Sequence, residues 1–395
     1  MNLILKIDIL LFVITVLFTG YNLFFTLASF VKRKKGKTDH VKTQSIAVIF
    51  AAYKEDRVIK ESVESFLKQD YPQDKFQVVV VSDHMEESTN LALGQLPITL
   101  FTPDFQESMK HKSISYALDH LEGFDRVIIM DADNITDTDF LTRINQATQT
   151  VKVLQAHRTR KNENTSVAVW YGISEEINNT IFRKGRVNVG LSSALIGSGM
   201  VFDFEWLKQH MHECKTFAED KELEAILARD NIFVDYSDDI YVYDEKTARQ
   251  DILIRQRSRW FHAQILAFSL ITKDFNIRKI NLSYIDKVIQ WIPFPRPVRF
   301  LLIFLMILFW SVVSFPVAIK WYCLLIIKIG TYLLAIPRNM YTQDFFVSIT
   351  KLPSMMIALL RSYTASICRV KKKDMSFNNT PHHITKKNNH ETSMK

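Results

Sequence analysis

Residues 126–134 read Arg-Val-Ile-Ile-Met-Asp-Ala-Asp-Asn. The apolar run 127–130 is unbroken, which is typical of a strand buried on both faces of a parallel sheet. Asp131 and Asp133 follow this strand two residues apart, so both can turn toward one point. Two hard oxygen ligands that leave the other coordination positions to phosphates and water suit Mg²⁺ or Mn²⁺ on a diphosphate. A plain turn or a helix cap accounts for Asp-x-Asp equally well, so the pair needs support from its surroundings.

Strand and helix patterns alternate on both sides of this stretch. Strands are predicted at 45–50, 76–82, 98–101, 126–130 and 151–156, and helices at 57–68, 110–121 and 138–147. This alternation indicates an α/β domain around a mostly parallel sheet, over roughly 43–273. Ligands of such sheets bind beyond the carboxyl ends of the strands, where this sequence carries 51–56, Asp83 and the Asp131 pair. Carboxylates gathered in one crevice repel one another unless a cation or hydrogen-bond donors compensate, so these strand ends predict a binding site.

Two later segments carry charged residues on predicted helices. Glu219 and Asp220 fall in the first turn of a helix, where backbone N–H groups stabilise carboxylates. Taken alone, such a pair can be simple N-terminal charge on a helix. Further on, Gln256, Arg259 and Trp260 have the spacing of one helix face. An arginine beside an aromatic ring suits a diphosphate and a sugar, although an amphipathic helix that binds anionic lipid headgroups has the same pattern.

In this order, the motifs resemble membrane-bound family 2 glycosyltransferases, a group that includes the cellulose, chitin and hyaluronan synthases. The matching residues are Ala-Tyr-Lys-Glu-Asp at 52–56, Asp83, Lys112, Asp131-x-Asp133, Gly197-Ser198-Gly199, Glu219-Asp220 and Gln256-x-x-Arg259-Trp260. The resemblance covers roughly residues 45–260 and the flanking apolar segments. It implies a GT-A fold, the α/β fold of nucleotide-diphospho-sugar transferases, with flanking transmembrane and interfacial helices. It also implies a metal-dependent, inverting hexosyltransferase with a uridine-diphosphate (UDP) sugar as donor.

The resemblance implies a role for each motif residue. The uridine would be held by Ala52, Tyr53, Glu55 and Asp83, and the diphosphate would be approached by Lys112 and secured by Gln256 and Arg259. The metal and the donor would be bound by Asp131 and Asp133, and the catalytic pair would be Glu219 and Asp220, with Asp220 as base. The acceptor would be faced by Gly197, Ser198, Gly199 and Trp260. Inverting transfer needs a base for the acceptor hydroxyl and positive charge on the departing diphosphate, which this set provides. Three positions depart from the usual family residues: Ala51, Lys54 and His111 stand in place of proline, asparagine and glycine.

Three apolar segments predict membrane-spanning helices. Residues 9–31 carry no charge over a length sufficient to cross the hydrocarbon core, and the basic run Lys-Arg-Lys-Lys-Gly-Lys follows at 32–37. A cleaved signal peptide would be shorter, with its basic residues in front. The block 300–337, interrupted by Lys320 and Lys328, has the length of two spans joined by a tight turn. Lys328 lies within the third predicted span and needs a partner or a wet path.

The predicted organisation has six parts. They are an N-terminal transmembrane helix with its basic flank at 1–37, a cytoplasmic GT-A domain at 38–275, an interfacial amphipathic segment at 276–299, two transmembrane helices at 300–340, an interfacial amphipathic helix at 341–370 and a basic disordered tail at 371–395. The basic flanks place the domain in the cytoplasm by the positive-inside rule. Ordinary surface helices packed on the domain would explain the first amphipathic segment equally well.

Composition and charge restrict the partners. The chain has 395 residues, is 47% hydrophobic and has a net charge of +8, which is concentrated in the two basic flanks. A lipid bilayer is therefore expected as a partner and nucleic acid is not. Three cysteines predict neither a disulfide framework nor a four-ligand zinc site. The other expected partners are a UDP-sugar, a glycan or lipid-linked acceptor, and either a second copy of the chain or an export partner, in a bacterial inner membrane.

The leading hypothesis is a membrane glycosyltransferase that extends a cell-surface polysaccharide. Synthases that export their own polymer generally have more than three spans, so the alternative is transfer of a single sugar to a lipid-linked or oligosaccharide acceptor. A catalytically silent scaffold would be expected to lack at least one motif residue. A nucleotidyltransferase on a similar sheet would not need Glu219-Asp220 or the motif at 256–260.

Overall fold

The computed structural model describes residues 2–33, 41–247, 249–273 and 281–371. Eight strands of these residues form one sheet: β1 Ile46–Tyr53, β2 Phe76–Asp83, β3 Thr99–Phe101, β4 Arg126–Asp131, β5 Ile135–Thr136, β6 Val153–Arg160, β7 Met200–Asp203 and β8 Val234–Asp244. Their order across the sheet is β3-β2-β1-β4-β7-β6-β8-β5. The first four strands in this order are parallel, whereas β7 lies antiparallel between β4 and β6. The sheet is therefore mixed.

Helices follow most strands and continue beyond the sheet. They are α1 Asn2–Ala28, α2 Ile59–Phe66, α3 Glu87–Leu93, α4 Lys110–Asp119, α5 Phe140–Ala147, α6 Ser166–Asn179, α7 Gly185–Asn188, α8 Phe204–His210, α9 Glu219–Arg229, α10 Gln250–Lys273, α11 Leu282–Trp291, α12 Arg296–Val313, α13 Phe315–Ala335, α14 Gln343–Ile349 and α15 Leu352–Lys371. A π-helical turn, Thr180–Lys184, joins α6 to α7.

The predicted α/β class is confirmed, and the structure corrects its details. The five predicted strands correspond to β1, β2, β3, β4 and β6, and the three predicted helices to α2, α4 and α5. The expectation of a mostly parallel sheet is met, because six of the eight described strands run in one direction and only β7 and β5 are reversed. The pattern does not predict β5 and β7, which have two and four residues, or β8, which carries Asp238 and Asp239.

Two apolar layers cover the faces of the sheet, because successive strand residues point to opposite sides. On one face Phe50 of β1 packs with Phe66 of α2 and Phe140 of α5. On the other face its neighbour Ile49 packs with Leu118 of α4. Burial of these side chains provides the main stabilisation of the domain. It also fixes the carboxyl ends of β1, β2 and β4 side by side.

Three helices, α1, α12 and α13, are long and apolar enough to cross a membrane, by length and composition, and we refer to them as the candidate spans. They are consistent with a membrane protein. The predicted apolar block 300–337 is occupied by α12 and α13, which are separated at Ser314. Helices α14 and α15 pass the same criteria only as a pair, with a bend of 66° between them.

Charged residues within the candidate spans have different surroundings. Lys320 forms an ion pair with Asp8 of α1. The Asp8 carboxylate is 1% exposed and also accepts hydrogen bonds from the indole N–H groups of Trp310 at 2.7 Å and Trp321 at 2.8 Å. This carboxylate therefore holds α1, α12 and α13 together. Lys328, by contrast, is 1% exposed and its Nζ has no hydrogen-bond partner among the described residues.

The other ends of the candidate spans meet the domain near α6 and α7. Asn188 donates to backbone carbonyl groups at the end of α1 and just beyond it. Thr180 Oγ1 donates to the Ala335 carbonyl of α13 at 2.7 Å, and Arg296 Nη2 of α12 donates to Asn178 Oδ1 at 2.7 Å. The chain thus enters the domain through α1, leaves it through α12 and returns through α13.

Candidate active site

A cleft of about 910 Å³ opens at the carboxyl ends of β1, β2 and β4. Tyr53, Asp83 and Asp131, which end these strands, line it. The opposite wall consists of the first turn of α9 and one side of α10. From there the cleft continues between α1, α12, α13 and α15. One cavity therefore joins the strand ends to the candidate spans.

One edge of the cleft has a buried carboxylate and the Tyr53 ring, and the His84 ring lies beside them. Asp83 is 1% exposed, and its Oδ1 accepts a hydrogen bond from Ser108 Oγ at 3.0 Å and lies 2.5 Å from His84 Nδ1. His84 has a φ of +54°, which is uncommon for a residue other than glycine. Its ring lies 5.9 Å from the Tyr53 ring, edge to face. This arrangement suits a flat polar ligand such as a nucleobase, which needs a face to contact and an acceptor for its N–H groups.

Lys110 places a positive charge between two carboxylates of the cleft. Its Nζ forms an ion pair with Asp131 Oδ1, lies 3.8 Å from Glu219 Oε1 and donates to the Gly197 carbonyl at 2.6 Å. Burial alone would lower the pKa of Lys110, but the charges of Asp131 and Glu219 outweigh it and raise this pKa. Lys110 therefore stays charged and offsets the repulsion between the strand end and α9.

Asp133 lies in a hydrogen-bonded turn that also borders the cleft. It is 2% exposed, and its Oδ2 accepts a hydrogen bond from the Glu245 N–H at 3.0 Å. Asn134 Nδ2 donates to Asp133 Oδ1 at 3.2 Å and to Asp244 Oδ1 at 3.3 Å. Asn134 Oδ1 in turn accepts from the Asp131 N–H at 3.0 Å. The Asp-x-Asp segment is thus a turn, and both of its carboxylates line the cleft.

A divalent cation fits Asp131 and Asp133 if it brings further ligands with it. In the described ranges no group of three His, Cys, Asp or Glu side chains is placed to hold a metal. Mg²⁺ needs no such group, since it is commonly bound by one or two carboxylates together with substrate phosphates and water. Both aspartates line a cleft whose volume is sufficient for a diphosphate. The donor set therefore suits a metal that binds together with its substrate.

A buried network of charges lies behind Asp131. Arg158 Nη1 is 3.9 Å from Asp131 Oδ2, and Arg158 Nε donates to Glu175 Oε1 at 2.6 Å. Lys246 connects Glu175 to Asp244, with 2.6 Å between Lys246 Nζ and Asp244 Oδ2. Burial would raise the pKa of Glu175, but Arg158 and Lys246 lower it to about 2. Arg158, Glu175 and Lys246 therefore stay ionised, and Arg158 lies behind Asp131.

The first turn of α9 presents Glu219 and Asp220 to the cleft. Glu219 is 5% exposed, and burial raises its pKa to about 7 although the Lys110 charge opposes the shift. The Asp220 side chain is 21% exposed, and its Oδ1 accepts a hydrogen bond from the Lys221 N–H at 2.9 Å. Because Asp220 is the more accessible of the two carboxylates, a hydroxyl group in the cleft can reach it more readily.

Helix α10 contributes the opposite wall, where Gln256, Arg259 and Trp260 all line the cleft as their spacing predicts. The Trp260 ring lies 5.8 Å from the Tyr171 ring of α6. The Arg257 guanidinium is 4.6 Å from the Trp260 ring centroid and 4.7 Å from that of Tyr171. Among the described residues Arg257 Nε has no hydrogen-bond acceptor, and burial lowers the pKa of this guanidinium. The wall therefore offers aromatic faces beside a buried positive charge.

The cleft brings together most of the site residues that the motifs predict. Those that line it are Tyr53, Glu55, Asp83, Asp131, Asp133, Gly197, Glu219, Asp220, Gln256, Arg259 and Trp260. Four others do not: Ala52 and Ser198 are buried in the domain, Gly199 packs against Val242 of β8, and Lys112 Nζ lies 3.3 Å from Glu107 Oε2 on the surface. The individual roles of all these residues stay predictions.

Basic residues that the motifs do not assign to the site also line the cleft, among them Lys110, Arg158 and Arg257. A signal for Lys110 exists in the sequence. Lys110 precedes Ile114 and Leu118 by one and two helical turns, so it shares their inward face, whereas Lys112 points away. Arg158 continues the inward alternation of Leu154 and Ala156 along β6, beyond the end of the predicted strand.

A comparison with protein families identifies the domain. The family described as glycosyltransferase-like family 2 matches residues 43–263, a range that includes the whole sheet, α9 and the first half of α10. The chain belongs to this family. The motifs that resemble family 2 glycosyltransferases therefore predict the family correctly, while the likeness to processive synthases remains a prediction. This family 2 glycosyltransferase carries its family region between the first and second candidate spans.

One solved structure shares the fold at low sequence identity, and a second is a weaker match. The mannosyltransferase PcManGT from Pyrobaculum calidifontis, in complex with GDP-Man and Mn²⁺, is 17% identical, with 92% of this chain and 98% of that chain covered and a TM-score of 0.62. S. aureus TarS 1–349 in complex with UDP-GlcNAc is 16% identical, with 83% and 92% covered and a TM-score of 0.45. No curated protein sequence matches the chain. The predicted GT-A fold is confirmed.

Proposed function

We propose that this family 2 glycosyltransferase transfers a sugar from a UDP-sugar to a hydroxyl group of a glycan or lipid-linked acceptor, with inversion at the anomeric carbon. The main support for this proposal is that one cleft contains the edge at Asp83 that suits a nucleobase, the Asp131–Asp133 pair and the accessible Asp220. The likeness to PcManGT, which holds GDP-Man, supports a nucleoside-diphosphate sugar as donor. UDP rather than GDP follows from the motif resemblance alone.

The proposed step uses the chain's own carboxylate and basic groups. The acceptor oxygen attacks the anomeric carbon while its proton passes to Asp220, and the bond from that carbon to the diphosphate oxygen breaks. UDP leaves with the electron pair of this bond. Lys110 and Arg259 then face the negative charge that develops on the diphosphate, in a cleft where water is partly excluded. Trp260 offers an apolar face on which a sugar ring can stack.

Mg²⁺ or Mn²⁺ is the proposed cofactor, held by Asp131 and Asp133. When bound, the ion would neutralise charge on the diphosphate and favour its departure. The Mn²⁺ in the PcManGT complex supports this assignment. Before the ion binds, Lys110 and the charge network behind Asp131 would keep the carboxylates in place at the cleft.

The product follows from where the acceptor binds. Extension of a cell-surface polysaccharide is proposed from the Gln256-x-x-Arg259-Trp260 motif. Transfer of a single sugar to a lipid-linked acceptor is a second candidate, favoured by one observation: the cleft continues from Asp220 to the candidate spans. We place the domain in the cytoplasm of a bacterial cell, with α1, α12 and α13 in the inner membrane and 276–299 and 341–370 at the interface. The boundaries of the six predicted parts carry over as part of this proposal.

The test is release of the nucleoside diphosphate, UDP or GDP, by the full-length protein in native-type lipid nanodiscs, with a panel of UDP-sugars and GDP-Man. Each donor is offered with Mg²⁺, with Mn²⁺ and with chelator, alongside Asp220→Asn and the matched surface variant Asp74→Asn. We expect metal-dependent release from one UDP-sugar, reduced at least about a hundredfold by Asp220→Asn and unchanged by Asp74→Asn. Product length then separates polymer extension from single transfer.

Other results would contradict specific parts of the proposal. Release that is equal in wild type and Asp220→Asn would exclude Asp220 as the base. Release from GDP-Man alone would exclude the uridine assignment. Binding of a donor without release, in membranes that supply native acceptors, would favour a catalytically silent domain.

A further inference from the structure

A group of basic side chains lies at the end of the cleft that is furthest from the strands. Arg296 and Arg299 in the first turn of α12 both line the cleft. Lys328 of α13 lies just behind, with its Nζ 5.1 Å from the Phe300 ring centroid. The Tyr332 ring connects the group, since its centroid is 5.0 Å from the Arg296 guanidinium and 5.7 Å from Lys328 Nζ. We call Arg296, Arg299 and Lys328 the basic cluster.

The basic cluster has no counter-charge in the part of the chain that the structure describes. Arg299 is 6% exposed, and its Nε has no hydrogen-bond acceptor. Lys328 Nζ also lacks an acceptor. Arg296 donates a hydrogen bond to the neutral amide oxygen of Asn178. Buried like charges without a carboxylate partner are unfavourable, and a bound anion would offset this cost.

The position of the cluster on α12 gives a second, independent indication. The N-terminus of a helix carries partial positive charge and favours acidic residues, yet the first turn of α12 has Arg296 and Arg299 and no acidic residue. Unpaired backbone N–H groups at such an end are ready donors to an anion. Arginine side chains beside them add planar, charge-assisted donors that suit a phosphate group.

An apolar passage leads from the basic cluster toward the outside of the candidate spans. Leu325, Ile329 and Leu333 of α13 are spaced by four residues, so they share one helix face, and all three line the cleft. Met355 and Leu359 of α15 line it from the opposite side. Ile329 and Leu333 are each 44% exposed, so the passage is open to the surroundings of α13. A long hydrocarbon chain fits this lining.

We propose that the basic cluster binds the phosphate or diphosphate of a lipid whose hydrocarbon chain lies along α13 and α15. The headgroup beyond the phosphate would then extend through the cleft toward Asp220. The cluster also lies at a depth that suits a lipid phosphate, near the ends of α12 and α13 that meet the domain. Arg296 and Arg299 lie in the first turn of α12, and Lys328 lies seven residues, about 10 Å, before the end of α13. That this lipid is the acceptor rests on the proposed function.

Lipid binding can be measured without turnover. The full-length protein in phosphatidylcholine nanodiscs is titrated with dodecyl phosphate, with dodecanol and with inorganic phosphate, and tryptophan fluorescence is followed because Trp260 and Trp291 line the cleft. We expect dodecyl phosphate to bind at least about tenfold more tightly than either other compound. Arg299→Gln should weaken its binding by about tenfold or more, and Arg338→Gln, which removes an exposed charge near the end of α13, should leave it unchanged.

The outcomes distinguish the two proposals. Equal affinity for dodecyl phosphate and dodecanol, or equal losses in Arg299→Gln and Arg338→Gln, would overturn the phosphate site. Equal affinity for inorganic phosphate and dodecyl phosphate would overturn the lipid and leave a free-anion site. Calorimetric binding of the UDP-sugar to the same variants tests the proposed function separately. Donor binding that is retained in Arg299→Gln while lipid binding is lost would support both.

Discussion

Arg186 of α7 and Asp286 of α11 form a buried ion pair, with 2.8 Å between Arg186 Nε and Asp286 Oδ2. Arg186 is 0% exposed, and Asp286 also accepts a hydrogen bond from the Tyr21 hydroxyl of α1 at 2.6 Å. The Arg186 guanidinium lies 4.3 Å from the Phe25 ring centroid of the same helix. One carboxylate and one guanidinium therefore attach the first candidate span to the domain and to α11.

Asp286→Ala should destabilise the protein strongly, because it leaves the Arg186 charge buried without a partner. Removal of one member of a buried pair typically costs about 3–5 kcal/mol. The measurement is thermal unfolding of the protein in nanodiscs. The matched variant is Glu64→Ala, which removes the carboxylate of the exposed pair with Lys60 and should cost much less. Equal losses of stability in the two variants would contradict the attachment role.

Gly185 is the point of closest approach between α1 and the domain. A Cβ atom at this position would lie 2.1 Å from the carbonyl oxygen of Phe25, a distance that neither backbone can accommodate without moving. Gly185→Ala should therefore displace α1 and lower the stability by about 1–3 kcal/mol. Gly20→Ala, which also lies on α1, is the control, because in the described ranges no atom outside the local helix backbone lies within 4 Å of the added methyl group. We expect Gly20→Ala to be neutral in the same thermal unfolding experiment.

Lys110 and Lys112 offer a direct comparison of structure and motif. Lys110→Met removes the positive charge between Asp131 and Glu219, and we expect it to reduce UDP release by about a hundredfold or more. Lys112→Met removes a charge that pairs with Glu107 at the surface and should change the rate little. Steady-state rates at saturating donor and metal provide the measurement. The opposite order of effects would favour the motif assignment of Lys112 over the cleft position of Lys110.

The strands that end at the site are predictable because their signal is local. The unbroken run 127–130 and the residues after it identify β4 and its two carboxylates from the sequence alone. Glu219, Asp220 and the motif at 256–260 are placed by helical spacing, and the structure brings them to the same cleft. Each of these inferences requires only residues that are near in sequence.

Features that depend on residues far apart in the chain could not be predicted from the sequence. The antiparallel placement of β7 follows from its pairing with β4 and β6, and its four residues carry too little pattern to show it. The contact of Gly185 with Phe25 joins residues that are 160 positions apart. Arg296 and Arg299 look like part of an amphipathic segment until α12 and α13 pack and leave them without a carboxylate. Sequence patterns report periodicity within an element, whereas these features arise between elements.

Glu219 should make the stability of the protein depend on pH. Burial raises the pKa of its carboxyl group from 4.5 to about 7 in the folded state. Between these two pH values the folded state binds more protons than the unfolded state, so the free energy of unfolding falls as pH rises. The full loss, on the order of 3 kcal/mol, is reached above about pH 7. Glu219→Gln should remove this component.

The measurement is urea unfolding of wild type and Glu219→Gln at pH 5 and pH 8, with chelator and without donor. The stability of the variant minus that of wild type should be larger at pH 8 than at pH 5. The reason is that the neutral amide of the variant needs no desolvation of a charge at either pH. Glu213→Gln, which alters a carboxylate that is 44% exposed, is the control and should follow the wild type. Parallel pH dependence in all three proteins would mean that Lys110 keeps Glu219 ionised throughout.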